Sequence, residues 1–412
     1  MIFSVLLPTH NRLDLLRNAV ETVRRQDGDD WEIVVSDNAS TDDVAGYVAG
    51  LEDARVRYVR TPAFLPVTDS WNYALQHASG DYVVMLGDDD GLLPGYFRTL
   101  RDLVEAHDRP DLIYHSALLL AYPNVLPGCP KGFLQDYTGT GFVRPAPGPY
   151  RLAPSDACDV VRKAMRFEMS LGYNMQFSLV SRKLIERMEV RGPFFQSAFP
   201  DYYATLAMLL EARSIIVDPR PRVVIGISPK SYGYFHFNRR EEEGRRFLAG
   251  SSGSANPEID ARALPGSNIN TGWLDAVLAL EKTYGELYRL SVRWWRYRFI
   301  QITSVYVGHY VVHQVPGKDL RELHRHLTRA ERLTADLGLA VYGLGRRALG
   351  LLRSIGLRPP MGRAHELLGR SPQWAGARVS MGSRDVVDVF EAVESAATVD
   401  LAALAEAAGH AA

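Results

Sequence analysis

Short apolar runs alternate with longer stretches in which apolar residues recur every three or four positions. Residues 2–7, Trp31–Ser36, Arg55–Arg60, Tyr82–Leu86 and Leu112–Ser116 are runs of strand length, rich in β-forming residues. Helical spacing fills the gaps between them. Leu13, Leu15, Leu16, Ala19, Val20 and Val23 mark the first helix, and a second spans about 42–50 with Ser40 or Thr41 as its cap. Trp71, Ala74 and Leu75 share one face of Ser70–His77, and Pro94 opens a helix that runs to about His107. Five alternations within the first 116 residues predict a doubly wound, mostly parallel α/β sheet. Ligands of such sheets bind beyond the carboxyl ends of the strands. Three polar loops fall there: Pro8–Arg12, Asp37–Asp42 and Gly87–Gly91.

Further on, residues 121–154 are rich in Pro and Gly and read as a long loop or small hairpin over the site. Helices are predicted at Ser155–Phe167, at Ser181–Arg187 with Ser181 as cap, and at Asp201–Ala212. Strands are predicted at Met175–Val180, Ser214–Val217 and Arg222–Ile227, and residues 249–257 form a Gly/Ser-rich stretch. After about residue 270 the pattern is helical, at Leu274–Gly285, Leu287–His313, Asp319–Leu337 and Asp385–Ala408, and Gly338–Gly382 has no clear period. No internal repeat stands out.

Composition narrows the class. A chain of 412 residues with 46% hydrophobic residues can bury a real core in two or three domains. A net charge of −1 provides no overall basic field for nucleic acid. Cys129 and Cys158 are too few for a disulfide framework or a cysteine zinc site and suit a reducing compartment. Met1–Pro8 reads as a strand rather than a signal peptide, and no apolar run of transmembrane length occurs, so cytoplasm is the default.

The chemistry concentrates at the end of the fourth strand. Asp88, Asp89 and Asp90 follow one another and are closed by Gly91. Adjacent carboxylates repel, and a hard divalent ion, Mg²⁺ or Mn²⁺, would remove the repulsion. The plainer reading of these residues is a solvated acidic turn. Their place beside two other polar loops at strand ends favours the metal. Pro8–Arg12 contains neither GxGxxG nor GxxxxGK[ST], and no GxSxG elbow occurs, so phosphates would be held mainly by the ion.

Pro8-Thr-His-Asn-Arg12, then Glu32-Ile-Val-Val-Ser-Asp-Asn-Ala-Ser-Thr-Asp42, then Ala78-Ser-Gly-Asp-Tyr-Val-Val-Met-Leu-Gly-Asp-Asp-Asp90 closely resemble, in that order, the family 2 glycosyltransferases. The resemblance covers about residues 1–116, continues more weakly to about 235, and leaves the helical C-terminal part uncovered. It implies a GT-A fold and an inverting, metal-dependent transfer from a nucleotide-diphosphate sugar, with UDP- or dTDP-sugars favoured. The acceptor implied is a hydroxyl of a saccharide or lipid-linked saccharide, as in cell-surface polysaccharide or glycoconjugate biosynthesis. The expected layout is a GT-A domain over 1–235, with a nucleotide-sugar half at 1–116 and an acceptor half at 117–235. A flexible connection at 236–270 and a mostly helical region at 271–412 would follow.

The resemblance also implies roles for single residues. Pro8, Thr9, Asn11 and Arg12 would line the nucleotide pocket, and Asp37 would bond the base, as a carboxylate suits the imide N–H of uracil or thymine. Asp69 would reach the same pocket or simply cap a helix. Asp88, Asp89 and Asp90 match the family's DxD-type metal motif, with Asp89 the first choice of ligand, although Gly87 stands where the family usually has an acidic residue. Asp201, after a proline and at a helix start, matches the general base; a plain cap is the competing reading, and Glu168 and Asp136 are second choices. His236 is a candidate third metal ligand, Lys230 a phosphate partner, and Tyr173 and Asn174 acceptor contacts. Leu287–His313 mixes Trp294, Trp295 and tyrosines with Arg289, Arg293, Arg296 and Arg298. That suits either a core helix with a wet basic face, which is preferred, or peripheral membrane contact. Two other classes compete with the transferase. A metal-dependent nucleotidyltransferase normally carries a Gly-rich basic loop after its first strand. A non-catalytic nucleotide-sugar-binding module would be expected to lose its carboxylates. The sequence does not set the oligomeric state.

Overall fold

The computed structural model describes residues 1–137, 142–168, 172–238, 268–313, 315–354, 378–380 and 382–410, with isolated positions between 240 and 266. The Gly/Ser-rich stretch at 249–257 and most of the predicted connection therefore lie outside the described residues, as does the side chain of His236.

The doubly wound, mostly parallel sheet is present. Strand β1 (Phe3–Thr9) lies between β2 (Trp31–Asp37) and β4 (Tyr82–Met85), parallel to both, and β3 (Val56–Arg60) continues parallel beyond β2. Helices α1 (Leu13–Arg24), α2 (Val44–Ala49) and α3 (Val67–Gln76) form the crossovers. Every residue of β2 and β4 is buried, which is why β4 and the Ile33–Val35 centre of β2 are continuous apolar runs rather than alternating ones. The register pairs Pro8 with Ser36 and Thr9 with Asp37, so two of the polar loops leave the sheet side by side.

A second half joins the same sheet. After β5 (Gly91–Leu92) and α4 (Tyr96–Ala106) comes β6 (Leu112–Ala121), which pairs parallel with the long β10 (Ile215–Ile227). Strand β9 (Ser178–Ser181) runs antiparallel between β4 and β6 and knits the halves together. Antiparallel β7 (Phe133–Asp136) and β8 (Tyr150–Leu152) come from the segment expected to be a loop. Helices α5 (Pro154–Met165), α6 (Arg182–Glu189), α7 (Pro200–Glu211) and α8 (Tyr232–Phe237) complete this part.

The C-terminal helical extension is also present. It comprises α9 (Asn268–Tyr288), α10 (Trp294–Tyr310), α11 (Gly317–His326), α12 (Arg329–Ser354), α13 (Val386–Ala396) and α14 (Leu401–His410), with a two-residue strand β11 (Arg378–Val379) on the edge of β7. Its residues Trp273, Tyr284, Val386 and Leu404 share one apolar core with β1 and β2. Ile302, Val305, Tyr306, Leu320, Leu323 and Leu327 form a separate small core between α10 and α11.

Several local expectations change. The cap of α2 is Asp43, which accepts from the Gly46 N–H at 2.8 Å, instead of Ser40 or Thr41. Helix α4 starts at Tyr96, because Gly95 turns left-handed at φ 72°. Met175–Phe177 is a 3-10 turn ahead of β9. The two strands predicted at 214–227 are one, with register shifts around Pro221, whose missing N–H cannot join the ladder. The helix expected over Leu287–His313 starts only at Trp294, after Arg289 at φ 54°. The helix expected over Asp319–Leu337 is two helices, α11 and α12, and the one over Asp385–Ala408 breaks at Ala397, φ 50°.

Candidate functional site

The acidic loop leaves β4 as a turn, with the Asp90 N–H donating to the Gly87 carbonyl at 3.2 Å. Its three carboxylates are all buried and have different surroundings. Asp88 accepts from the Thr9 hydroxyl at 2.8 Å and from the Arg12 guanidinium at 2.9 Å. Asp89 accepts from the Ser228 hydroxyl at 2.7 Å, just past the end of β10. Asp90 points into the protein and accepts from the Gly226 N–H at 2.8 Å, the Gln176 amide at 2.6 Å and the Gly87 N–H at 3.0 Å. A side chain at Gly87 would put its Cβ 2.4 Å from an Asp90 oxygen, so the glycine makes room for this inward turn.

Burial, aided by the Asp88 charge, raises the Asp89 pKa against the pull of Arg12 and Ser228. Burial and Asp89 raise that of Asp90 well above the usual carboxylate range, against its three donors. Burial opposes the Arg12 charge, but Asp88, Asp89 and Asp90 outweigh it and raise its pKa. Negative charge is thus in surplus here. Among the described residues no cluster of three or more His, Cys, Asp or Glu side chains converges as a ready metal cage. Asp88 and Asp89 at a strand tip suit a different arrangement, in which a hard cation takes one or two carboxylates and fills its other positions with water or substrate oxygens.

The neighbouring loops are fastened to one another. Asn11, left-handed at φ 55°, accepts from the Thr41 N–H at 2.7 Å and the Thr41 hydroxyl at 2.9 Å, and its own N–H donates to Ser40 at 3.0 Å. Asp37 is fully buried and accepts from the Ser40 N–H and the Tyr58 hydroxyl, each at 2.8 Å, and from Arg60. Burial pushes its pKa up, but Ser40, Tyr58 and Arg60 outweigh burial and hold it below the usual value. Lys230 reaches back from the β10 exit, its ammonium donating to the Asn11 carbonyl at 2.9 Å and lying 3.3 Å from Asp14. The Arg12 guanidinium also donates to the Lys230 carbonyl. The 228–231 segment therefore closes over Pro8–Arg12, where Arg12 pairs with Asp88 and Lys230 is held at Asn11 and Asp14.

Asp201 sits in the first turn of α7, after Pro200, and is half-buried. Its carboxylate accepts from the Tyr202 N–H at 2.9 Å. Burial dominates its environment and raises its pKa to about 7. The surrounding aromatic rings explain the burial: Phe199 stacks on Tyr202, Tyr202 contacts Trp273, and Trp273 stacks on Tyr173. Gly272 on α9 leaves room for the Phe199 ring, which lies 2.0 Å from where a Cβ would stand. Two hydrogen bonds and the backbone between them connect α7, which carries Asp201, to the acidic loop. Thr205, one helical turn after Asp201, donates to the Tyr173 carbonyl at 3.1 Å. Tyr173 leads into the 3-10 turn that carries Gln176, the partner of Asp90.

Asp69 is exposed in the first turn of α3, whose cap position is Pro66, so it does not cap that helix. Glu168 is exposed and 3.8 Å from Arg296. Asp136 ends β7, Tyr173 is buried, and Asn174 precedes the 3-10 turn. Two residues of the site carry no role in the sequence pattern. Ser228 holds Asp89. The His10 Nδ1–H donates to the Asn38 carbonyl, 2.7 Å away, and the ring faces the exposed Phe64 ring at 4.8 Å. Only their positions one step from a strand end or a named motif residue would have pointed to them.

Comparison with known proteins adds a family. Residues 4–117 match the model described as Glycosyl transferase family 2. The GalNAc(5)-diNAcBac-PP-undecaprenol beta-1,3-glucosyltransferase of Campylobacter jejuni is 40% identical over 100 residues, 24% of this chain and 32% of that protein. The putative colanic acid biosynthesis glycosyl transferase WcaA of Escherichia coli is 25% identical over 256 residues, 59% of this chain and 82% of that protein. The UDP-Glc:alpha-D-GlcNAc-diphosphoundecaprenol beta-1,3-glucosyltransferase WfgD of Escherichia coli is 26% identical over 89 residues, 22% of this chain and 35% of that protein. The match thus spans about a third of the length of two of these three relatives.

Proposed function

From a chain whose residues 4–117 are a glycosyl transferase family 2 domain, we propose an inverting glycosyltransferase that uses a nucleoside-diphosphate sugar, UDP- or dTDP-linked. The acceptor is a hydroxyl of a saccharide or lipid-linked saccharide, in the assembly of cell-surface polysaccharide or glycoconjugate. Two relatives named for transfer to undecaprenol-linked sugars, one of them from UDP-Glc, support the substrate classes. The observation that carries the reading is a half-buried Asp201, its pKa at about 7, tied through Thr205, Tyr173 and Gln176 to a strand-end carboxylate loop.

Each part of the site has a task in this reading. Asp201 takes the proton of the acceptor hydroxyl as its oxygen bonds to the anomeric carbon and the bond to the diphosphate breaks, which inverts that carbon. A pKa near the working pH makes its carboxylate both present and basic. Asp88 and Asp89 would hold a Mg²⁺ or Mn²⁺ ion, which when bound would supply Lewis-acid stabilisation to a departing diphosphate. Asp90 keeps the loop in place. Arg12 and Lys230 turn from their carbonyl and carboxylate partners to the phosphates, and Asp37 bonds the base at the end of β2.

The test is a thermal-shift screen against UDP-, dTDP-, GDP- and CMP-sugars with Mn²⁺, followed by transfer assays on the responding donor. Stabilisation by one donor class, with transfer lost in EDTA and in Asp89→Ala, is expected. Full transfer in EDTA together with an active, folded Asp89→Ala would sink the metal part. A chain that responds to no donor would sink the reading.

A further inference from the structure

The C-terminal helices leave an apolar surface uncovered. On α10, Trp295, Phe299, Ile302 and Tyr306 follow one stripe at spacings of four, three and four residues. Ile302 and Tyr306 are buried against α11, but Trp295 and Phe299 are 66% and 52% exposed. On α12, Leu333, Leu337 and Val341 stand one turn apart and are 61%, 57% and 67% exposed. Ala335, on the opposite side of that helix, packs onto the small core, so the stripe faces outward. The sequence repeats apolar residues at the same spacing at Leu344, Ala348 and Leu352, which keeps all six positions within an arc of about 100°. Arg298 fastens the two helices together, donating to Glu331 at 2.6 and 3.0 Å and to the His326 carbonyl at 3.0 Å.

The charge of this region is unlike that of the rest. Residues 287–354 contain twelve Arg and Lys against four Asp and Glu, a net charge of +8 in a chain that totals −1. The basic excess thus coincides with the exposed apolar stripe. Among the described residues no helix is long and apolar enough to cross a membrane. An outward apolar stripe within a basic region fits a surface that is apolar beneath and negatively charged above. Nucleic acid would match the charge but offer the leucine stripe nothing to bury it.

We propose that α10 and α12 form a docking surface for an anionic lipid bilayer. Leu333, Leu337, Val341, Trp295 and Phe299 enter the interface, and the arginines meet the headgroups. The sequence pattern favours a plain core helix for Leu287–His313. α10 is one along Tyr297, Gln301, Ile302, Val305 and Tyr306, but it leaves Trp295 and Phe299 exposed, and the longer stripe lies on α12. This goes beyond the proposed reaction and is measured without donor, acceptor or turnover, so either can fail alone.

The test is sedimentation of the full chain with vesicles of phosphatidylcholine alone or of equal parts phosphatidylcholine and phosphatidylglycerol. Binding to the anionic vesicles only, weakened by salt and reduced about tenfold or more in Leu333→Glu/Leu337→Glu/Val341→Glu, is expected. Exposed side chains should tolerate these changes. Should the triple variant melt early, Trp295→Ala/Phe299→Ala decides in its place. Four results each overturn the proposal. In the first, the wild type stays in the supernatant with both vesicles. In the second, the deciding variant binds undiminished. In the third, the substitutions convert a wild-type dimer to monomer. In the fourth, the wild type binds polyuridine but not the vesicles.

Discussion

Replacing Asp201 by Asn separates a base from a helix cap through two opposite effects. The amide in Asp201→Asn would keep an oxygen for the Tyr202 N–H, now met at 2.9 Å, but could not ionise. In the folded chain Asp201 titrates at about 7 instead of 3.8, mainly because it is buried. A raised carboxyl pKa contributes stability that is fully present below about pH 4 and is lost as pH rises through about 7. A rise of this size corresponds to about 4 kcal/mol at most, which the ionised wild type forgoes at about pH 9. The variant is therefore expected to melt up to several degrees above wild type at high pH, with the gap closing as pH falls toward about 4. Transfer, read as release of the nucleoside diphosphate, should be lost while donor binding remains. For the wild type, kcat/KM should rise with pH through about 7 as the carboxylate forms. Calorimetry across this pH range, paired with the transfer assay, checks both effects. A variant less stable than wild type at every pH, or one that still turns over, refutes the reasoning.

Three further substitutions probe the acidic loop and the segment that closes over its neighbour. Asp90→Ala leaves the Gly226 and Gly87 N–H groups and the Gln176 amide without their acceptor, at a cost of about 3 kcal/mol, whereas Asp89→Asn should scarcely shift the denaturant midpoint. Equal midpoints for the two variants would show that Asp90 has no structural task. Lys230→Ala should raise the donor KM about tenfold and change kcat less, since its ammonium now holds the Asn11 carbonyl at the nucleotide loop; an unchanged KM would place Lys230 outside the donor site.

The first half of the sheet is legible because its strands are covered on both faces. β4 and the Ile33–Val35 centre of β2 therefore appear as apolar runs, and Thr9, Asp37 and Asp88 can be placed at strand tips from the sequence. β10 reads as two strands because Asp218-Pro-Arg-Pro221 interrupts the apolar pattern. The backbone stays extended there, and the buried Asp218 is neutralised by Arg220 and Arg222. The division of labour among Asp88, Asp89 and Asp90 is not legible. Three identical residues carry no pattern, and each orientation depends on partners from β10, the 3-10 turn and the first loop. Gly87 departs from the family pattern. Only the close approach of Asp90 to its missing side chain explains it.

The same logic extends to the C-terminal end of the chain. Gly91, directly after the three aspartates, has no side chain because α13 fills the space: a Cβ there would stand 3.0 Å from Val386 and 3.1 Å from Thr22 of α1. Arg25, directly after α1, pairs with Glu391 at 2.8 Å on the outer side of the same contact. Thr22 in turn accepts from the Leu92 N–H at 3.1 Å, which fixes β5 at the exit of the acidic loop. On the other side, Gly226 approaches so closely that its Cβ would lie 1.9 Å from the Asp89 carbonyl. The loop is thus held between the end of β10 and the last part of the chain. That support is what lets three adjacent carboxylates stay buried beside a single arginine. The segment that matches the family model, residues 4–117, supplies the carboxylates. Asp88 is oriented by Thr9 and Arg12 within that segment, whereas Asp89 and Asp90 depend on Ser228, Gly226 and Gln176 outside it.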